Sequence, residues 1–147
     1  MSIEDDVALL TRVPTMRLLG NAALRTLAIG CEQRSFDRGK VLFNAGDEAD
    51  AGFVVQRGAF RISDDIGAEL VVGPGTLIGE LALVVAMPRP FTAVAVENSS
   101  VIRIARSLFQ RVLESDPDAA LRLRDEFANR TSRIASDILV AGAKLSG

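Results

Sequence analysis

The sequence predicts a mainly β domain flanked by helices, and three observations predict it. Eight of the twelve glycines crowd into one stretch: Gly39, Gly46, Gly52, Gly58, Gly67, Gly73, Gly75 and Gly79. Short apolar runs lie between them: Val41-Leu42-Phe43, Phe53-Val54-Val55, Phe60-Arg61-Ile62 and Leu70-Val71-Val72. Both ends of the chain carry apolar residues at helical spacing instead. Short strands punctuated by turn glycines read as a barrel or sandwich.

The elements follow in order. From Asp5 to Leu27 the helical pattern is broken near Pro14 and Gly20. The acidic Glu4-Asp5-Asp6 suits the positive end of a first helix. The glycine-punctuated strands come next. Thr92 to Val96 and Ser100 to Ile104, rich in β-branched residues, extend the sheet, with Glu97-Asn98-Ser99 as the turn between them. Ser107 is placed to cap a short helix, Leu108 to Glu114. Asp116-Pro117 has the form of an N-cap followed by a first-turn proline, and opens a long helix from about Pro117 to Leu145. Along it Phe127, Thr131, Ile134, Ile138, Ala141 and Leu145 alternate by four and three, one continuous apolar seam. That seam is a candidate homodimer contact through Phe127, Ile134, Ile138, Ala141 and Leu145. The chain thus reads as a single domain, 1–147. Residues 1–34 form an N-terminal helical part, 35–105 the β region and 106–147 the C-terminal helices.

Composition removes whole chemistries. The 147 residues include no histidine, tryptophan or tyrosine and one cysteine, Cys31. Histidine-based triads, histidine-ligated zinc or haem, and an internal disulfide cannot be built. The net charge of −2 does not fit a basic nucleic-acid binder, although all but Lys40 and Lys144 of the basic residues are arginine. No run reaches the roughly 18 apolar residues that span a bilayer, and the acidic start lacks the form of a secretory signal. These features lead to the expectation of a cytoplasmic protein with no resident cofactor. Cys31 reads as an inert, buried thiol. Arg122, Arg124, Arg130 and Arg133, offset by Asp125, Glu126 and Asp137, read as a solvated helix face.

One stretch carries chemistry: Gly73-Pro74-Gly75-Thr76-Leu77-Ile78-Gly79-Glu80-Leu81-Ala82-Leu83, continuing to Pro88-Arg89-Pro90-Phe91-Thr92. The first glycines and proline make a tight turn. Gly79 opens a helical turn whose unpaired N–H groups attract anions. If the chain folds back, the Arg89 guanidinium can pair with two anionic oxygens. Glu80 can accept from hydroxyls, so the set suits a sugar phosphate. The plain alternative is a turn with a simple Glu80–Arg89 ion pair.

The same stretch, 73–92, resembles the phosphate-binding cassette of cyclic nucleotide-binding domains, the type found in catabolite activator protein and the regulatory subunits of protein kinase A. Gly73-Pro74-Gly75, Gly79-Glu80-Leu81-Ala82-Leu83, Pro88-Arg89 and Thr92 match it with the same gap. Phe36 to Asp47 looks like the family's first strands, and Val54-Val55-Gln56-Arg57-Gly58 like its next strand and turn. The resemblance implies a jelly-roll β-barrel, or double-stranded β-helix, with N-terminal helices and a long C-terminal helix.

It also implies ligand-binding roles for Gly79, Glu80, Leu81, Ala82, Arg89 and Pro90. Glu80 would accept the ribose 2′-hydroxyl, and Arg89 would pair with the cyclic phosphate. N–H groups near Leu81 and Ala82 would complete the cradle. The long helix would close over the base, with Ile134 as its contact, unless Ile134 serves the seam. The ligand would be cAMP or a related cyclic nucleotide, acting as a signal and not as a substrate. With no DNA-binding module in the sequence, the output would pass to a protein effector or a dimer mate. The resemblance implies neither direct DNA binding nor a membrane role.

Pro90 departs from the pattern. The family places a small residue there whose N–H contacts phosphate, and proline has none. Phe91 replaces another small residue and either fills the core or narrows the pocket. These two changes support the alternative of a degenerate domain kept as an interaction or structural module.

Overall fold

The computed structural model describes residues 2–128. Helix α1 spans Ile3–Thr11. It opens with a reciprocal cap: the Asp5 N–H donates to Ser2 Oγ (3.2 Å) and the Ser2 N–H to the Asp5 carboxylate (3.4 Å). Pro14 cannot continue the helix, and a 3₁₀ turn, Met16–Leu18, leads to α2, Asn21–Gly30. The strands run from Glu32 to Ala105, after which α3 covers Arg106–Ser115 and α4 covers 117–128.

Two four-stranded antiparallel sheets face each other. The first has the order β1 (Glu32–Phe36), β10 (Ser99–Ala105), β4 (Ala51–Arg57), β7 (Leu77–Ile78). The second has the order β2 (Val41–Phe43), β9 (Thr92–Ala95), β5 (Phe60–Ser63), β6 (Glu69–Val72). A short ladder joins β3 (Glu48–Ala49) to β8 (Met87–Pro88). The fold class is the one the sequence predicts, mainly β with flanking helices. The sheets form a sandwich and their ladders do not close into a hydrogen-bonded barrel.

The centre of the molecule explains the most apolar runs. Phe53, Val55 and Val101 point into the core between the sheets, with Phe43, Phe60, Ala93 and Ala95. Val54, Ile102 and Ile104, on the same strands, point the other way. They meet Leu10, Val13, Met16, Leu24, Leu27, Phe109 and Leu123 from the helical layer. Strands β4 and β10 are therefore buried on both faces, which favours continuous apolar sequence over alternation. The helices pack on the outer face of that sheet and leave the β3–β8 end open for the site.

One local expectation needs correction. Helix α3 begins at Arg106 behind Ala105, with no side-chain cap, so Ser107 does not cap a helix starting at Leu108. The reason is tertiary: the Arg106 N–H donates to the Asp50 carbonyl (2.8 Å) and fixes the turn out of β10. Arg122 and Arg124 are exposed, as a solvated face requires, and the Arg122 Nε also donates to the Leu18 carbonyl at 2.9 Å. Phe127, the first position of the apolar seam, packs against the chain's own helical core. Thr131, Ile134, Ile138, Ala141 and Leu145 lie outside the described residues. Asp116 does cap α4, its carboxylate accepting the Ala119 N–H at 3.2 Å.

Candidate functional site

The segment from Gly73 to Thr92 folds back on itself around a pocket. Its first turn is pinned to β4. The Gly75 N–H donates to Val55 O (2.9 Å), and the Val55 N–H donates to Thr76 O (3.0 Å). Strand β7 then pairs with β4 through Leu77↔Val54 and Ile78↔Phe53. Gly79 takes a left-handed conformation, φ 78° and ψ 40°, and starts the 3₁₀ turn Glu80–Leu83. Within that turn the Ala82 N–H donates to Gly79 O at 3.1 Å, so it is already used inside the segment. The chain returns through β8. The Arg89 N–H donates to Asp47 O (2.7 Å), and the Gly46 N–H donates to Arg89 O (2.8 Å).

These backbone bonds drive the Arg89 side chain inward, to 5% exposure. Its Nη2 donates to the Ala51 carbonyl at 2.8 Å. Its guanidinium carbon lies 4.3 Å from the Phe43 ring centre and 5.4 Å from that of Phe53, a cation resting on two aromatic faces. Nη1 is buried and, among the described residues, has no hydrogen-bond partner. Among the described residues Arg89 forms no salt bridge, so the plain Glu80–Arg89 ion pair is not formed. Burial pushes the Arg89 pKa down and Arg103 adds to this, while Asp50 and Asp47 act against it. Arginine stays charged even so. A buried cation with an unpartnered N–H is costly, and an anion at Nη1 would relieve that cost.

Glu80 is partly buried at the head of the 3₁₀ turn, and its Oε2 accepts from the hydroxyl of Thr15. A cavity of about 260 Å³ is lined by Gly79, Glu80, Leu81, Ala82, Arg89 and Pro90, together with Ala49, Leu77, Met87 and Phe91. All six residues singled out from the sequence therefore line one cavity. Phe91 does two things at once: it lines the cavity, and its ring stands 5.9 Å from that of Phe43 at the margin of the inter-sheet core. Ile134 lies outside the described residues.

The model of the cyclic nucleotide-binding domain matches residues 33–116. The chain belongs to the cyclic nucleotide-binding domain family. A cyclic nucleotide-gated potassium channel from Mesorhizobium japonicum is 30% identical over 87% of this chain and 36% of its own length. A cAMP-dependent protein kinase regulatory subunit from Eremothecium gossypii is 33% identical over 70% of this chain and 23% of its own. The chain thus spans about a third or less of these relatives. A solved cyclic nucleotide-binding-like protein from Brucella abortus is 36% identical, with a TM-score of 0.67, covering 75% of this chain and 98% of that one. Among the described residues no helix is long and apolar enough to cross a membrane.

Sequence reasoning missed the surroundings of the site. Thr15, the Ala51 carbonyl and the rings of Phe43 and Phe53 reach it from other elements, and no local spacing signals them. Arg106 was missed as well. Its Nη1 donates to the carbonyls of Ala49 (2.9 Å), Ala82 (3.2 Å) and Val85 (3.1 Å). It thereby ties the first residue of α3 to both walls of the cavity. Cys31, partly buried, donates its Sγ–H to Ala28 O (3.2 Å), and burial, with Asp6 adding, pushes its pKa up to about 11.

Proposed function

We propose that this domain is a cyclic nucleotide sensor, with cAMP or a close relative bound in the cavity at Arg89. The observation that carries the reading is the buried Arg89 guanidinium. It is oriented by Ala51 and the two phenylalanines, and its Nη1, beside Gly79 on the cavity wall, has no partner among the described residues. A singly charged cyclic phosphate supplies the acceptor oxygens that Nη1 lacks. Glu80 accepts the ribose 2′-hydroxyl, and the Leu81 N–H adds a donor at the head of the turn. The apolar walls, Leu77, Leu81, Met87 and Phe91, face the sugar and base. No bond of the ligand breaks, so the domain is not an enzyme.

The output runs through the C-terminal helices to an effector protein or a dimer mate, in the cytoplasm. Arg106 supports this route, because a shift of the Glu80–Leu83 turn acts on α3 through the carbonyls of Ala82 and Val85. The ligand drives such a shift only by binding one helix position more tightly than the other.

A second reading is favoured by Pro90, which lines the cavity without an N–H to offer. On that reading the domain is an interaction module that has lost its ligand. Amide NMR distinguishes the two. The sensor reading expects saturable shifts at Gly79–Ala82 and at Arg106 on adding cAMP. Unchanged spectra at millimolar cAMP and cGMP favour the interaction module.

A further inference from the structure

Thr15 is a feature that the cyclic nucleotide reading leaves unused. It lies between α1 and the 3₁₀ turn Met16–Leu18, 65 residues from Glu80, yet its hydroxyl donates to Glu80 Oε2. The position is rigid. Thr15 is 1% exposed, and its neighbours Val13 and Met16 are 2% and 0% exposed in the helical core. The backbone on either side is bonded too, with the Arg17 N–H on Val13 O (3.2 Å) and the Leu18 N–H on Thr15 O (3.3 Å). A β-branched side chain so placed has little χ1 freedom. Glutamate, by contrast, is a flexible side chain that loses much rotamer entropy when it is ordered.

We infer that Thr15 is a positioning residue for Glu80, setting the carboxylate to receive the ribose 2′-hydroxyl. The inference rests on the reading of the cavity as a cyclic nucleotide site. A hydroxyl on the rigid helical layer bears the ordering cost of the glutamate before the ligand arrives, and preorganisation of this kind raises affinity. It also gives the N-terminal helical layer a part in the site that the cassette sequence does not reveal.

The test compares cAMP with 2′-deoxy-cAMP, which lacks the hydroxyl that Glu80 receives, on wild type, Thr15→Val and Thr15→Ser. Calorimetry should show Thr15→Val weakening cAMP by about tenfold, and 2′-deoxy-cAMP by less than about twofold. Thr15→Ser, which keeps the donor, should stay within about threefold of wild type for cAMP. Thr15→Ala reads the same discrimination if Thr15→Val fails to fold. Equal losses for both ligands, unchanged or tighter cAMP binding by Thr15→Val, or a Thr15→Ser loss matching that of Thr15→Val would each overturn the inference while leaving the cavity reading intact. A wild type that binds neither ligand at millimolar concentration would overturn both.

Discussion

Gly79 stands directly against Arg89: a Cβ built on Gly79 would lie 2.5 Å from Arg89 Nη1. The left-handed backbone at Gly79, φ 78°, would strain any side chain there as well. The conformation therefore requires glycine at the point where the guanidinium presents its unpartnered nitrogen, and a side chain there would displace that nitrogen. Gly79→Ala should destabilise the domain by about 1–2 kcal/mol through backbone strain alone. It should also push the guanidinium aside and weaken cyclic nucleotide binding at least about tenfold. Thermal melting and a binding titration read the two effects separately, and unchanged affinity would contradict the role given to this contact.

Arg89 illustrates stability traded for a site. Its cation is buried with one nitrogen unpartnered, and among the described residues the Ala51 carbonyl, two rings and the nearby charges of Asp50 and Asp47 compensate. An unpaired buried charge is costly, and an apolar side chain of similar length removes that cost. Arg89→Met should melt no lower than ligand-free wild type. A loss of several degrees would mean that the guanidinium supports the empty fold.

The central strands were legible because their chemistry is local. Phe53-Val54-Val55 is apolar without interruption, and Val101, Ile102 and Ile104 are apolar around the single charge of Arg103, because β4 and β10 are covered on both faces. Strand β1, Glu32–Phe36, was not: it has mostly exposed residues and, among the described residues, is an edge strand paired with β10. Strands β3, β7 and β8 have two residues each, too few for any period to register. The same division holds at the site. The residues from Gly79 to Pro90 are close in sequence and could be named. Thr15 and the Ala51 carbonyl arrive from 65 and 38 residues away and depend on the packing of the sheets and helices.

Pro90 lines the cavity and has no N–H to offer a ligand there. A hydrogen bond to a charged group contributes about 1.5–3 kcal/mol. Pro90→Ala restores the donor and should tighten cAMP binding by about tenfold or more. Titration of the variant beside wild type checks this, and equal or weaker binding would remove Pro90 as the reason for any loss of affinity.

Cys31 should react slowly. With its pKa pushed up to about 11, mainly by burial, only about one thiol in a thousand is ionised at pH 8. Alkylation should accelerate with pH up to about 11 in the folded protein. The raised pKa also contributes stability that depends on pH. It is fully present below the ordinary thiol value of 9.0 and is lost as pH rises through about 11. Rapid labelling at pH 8 would show the thiol to be more accessible and more ionised than its surroundings imply.

The cyclic nucleotide reading requires an anion at Arg89 Nη1, which calorimetric titration of wild type and Arg89→Met with cAMP detects. The predicted result is saturable, one-site binding by wild type and no detectable heat from a variant that is equally well folded. No heat from wild type at millimolar cAMP, or the same isotherm from both proteins, would contradict it.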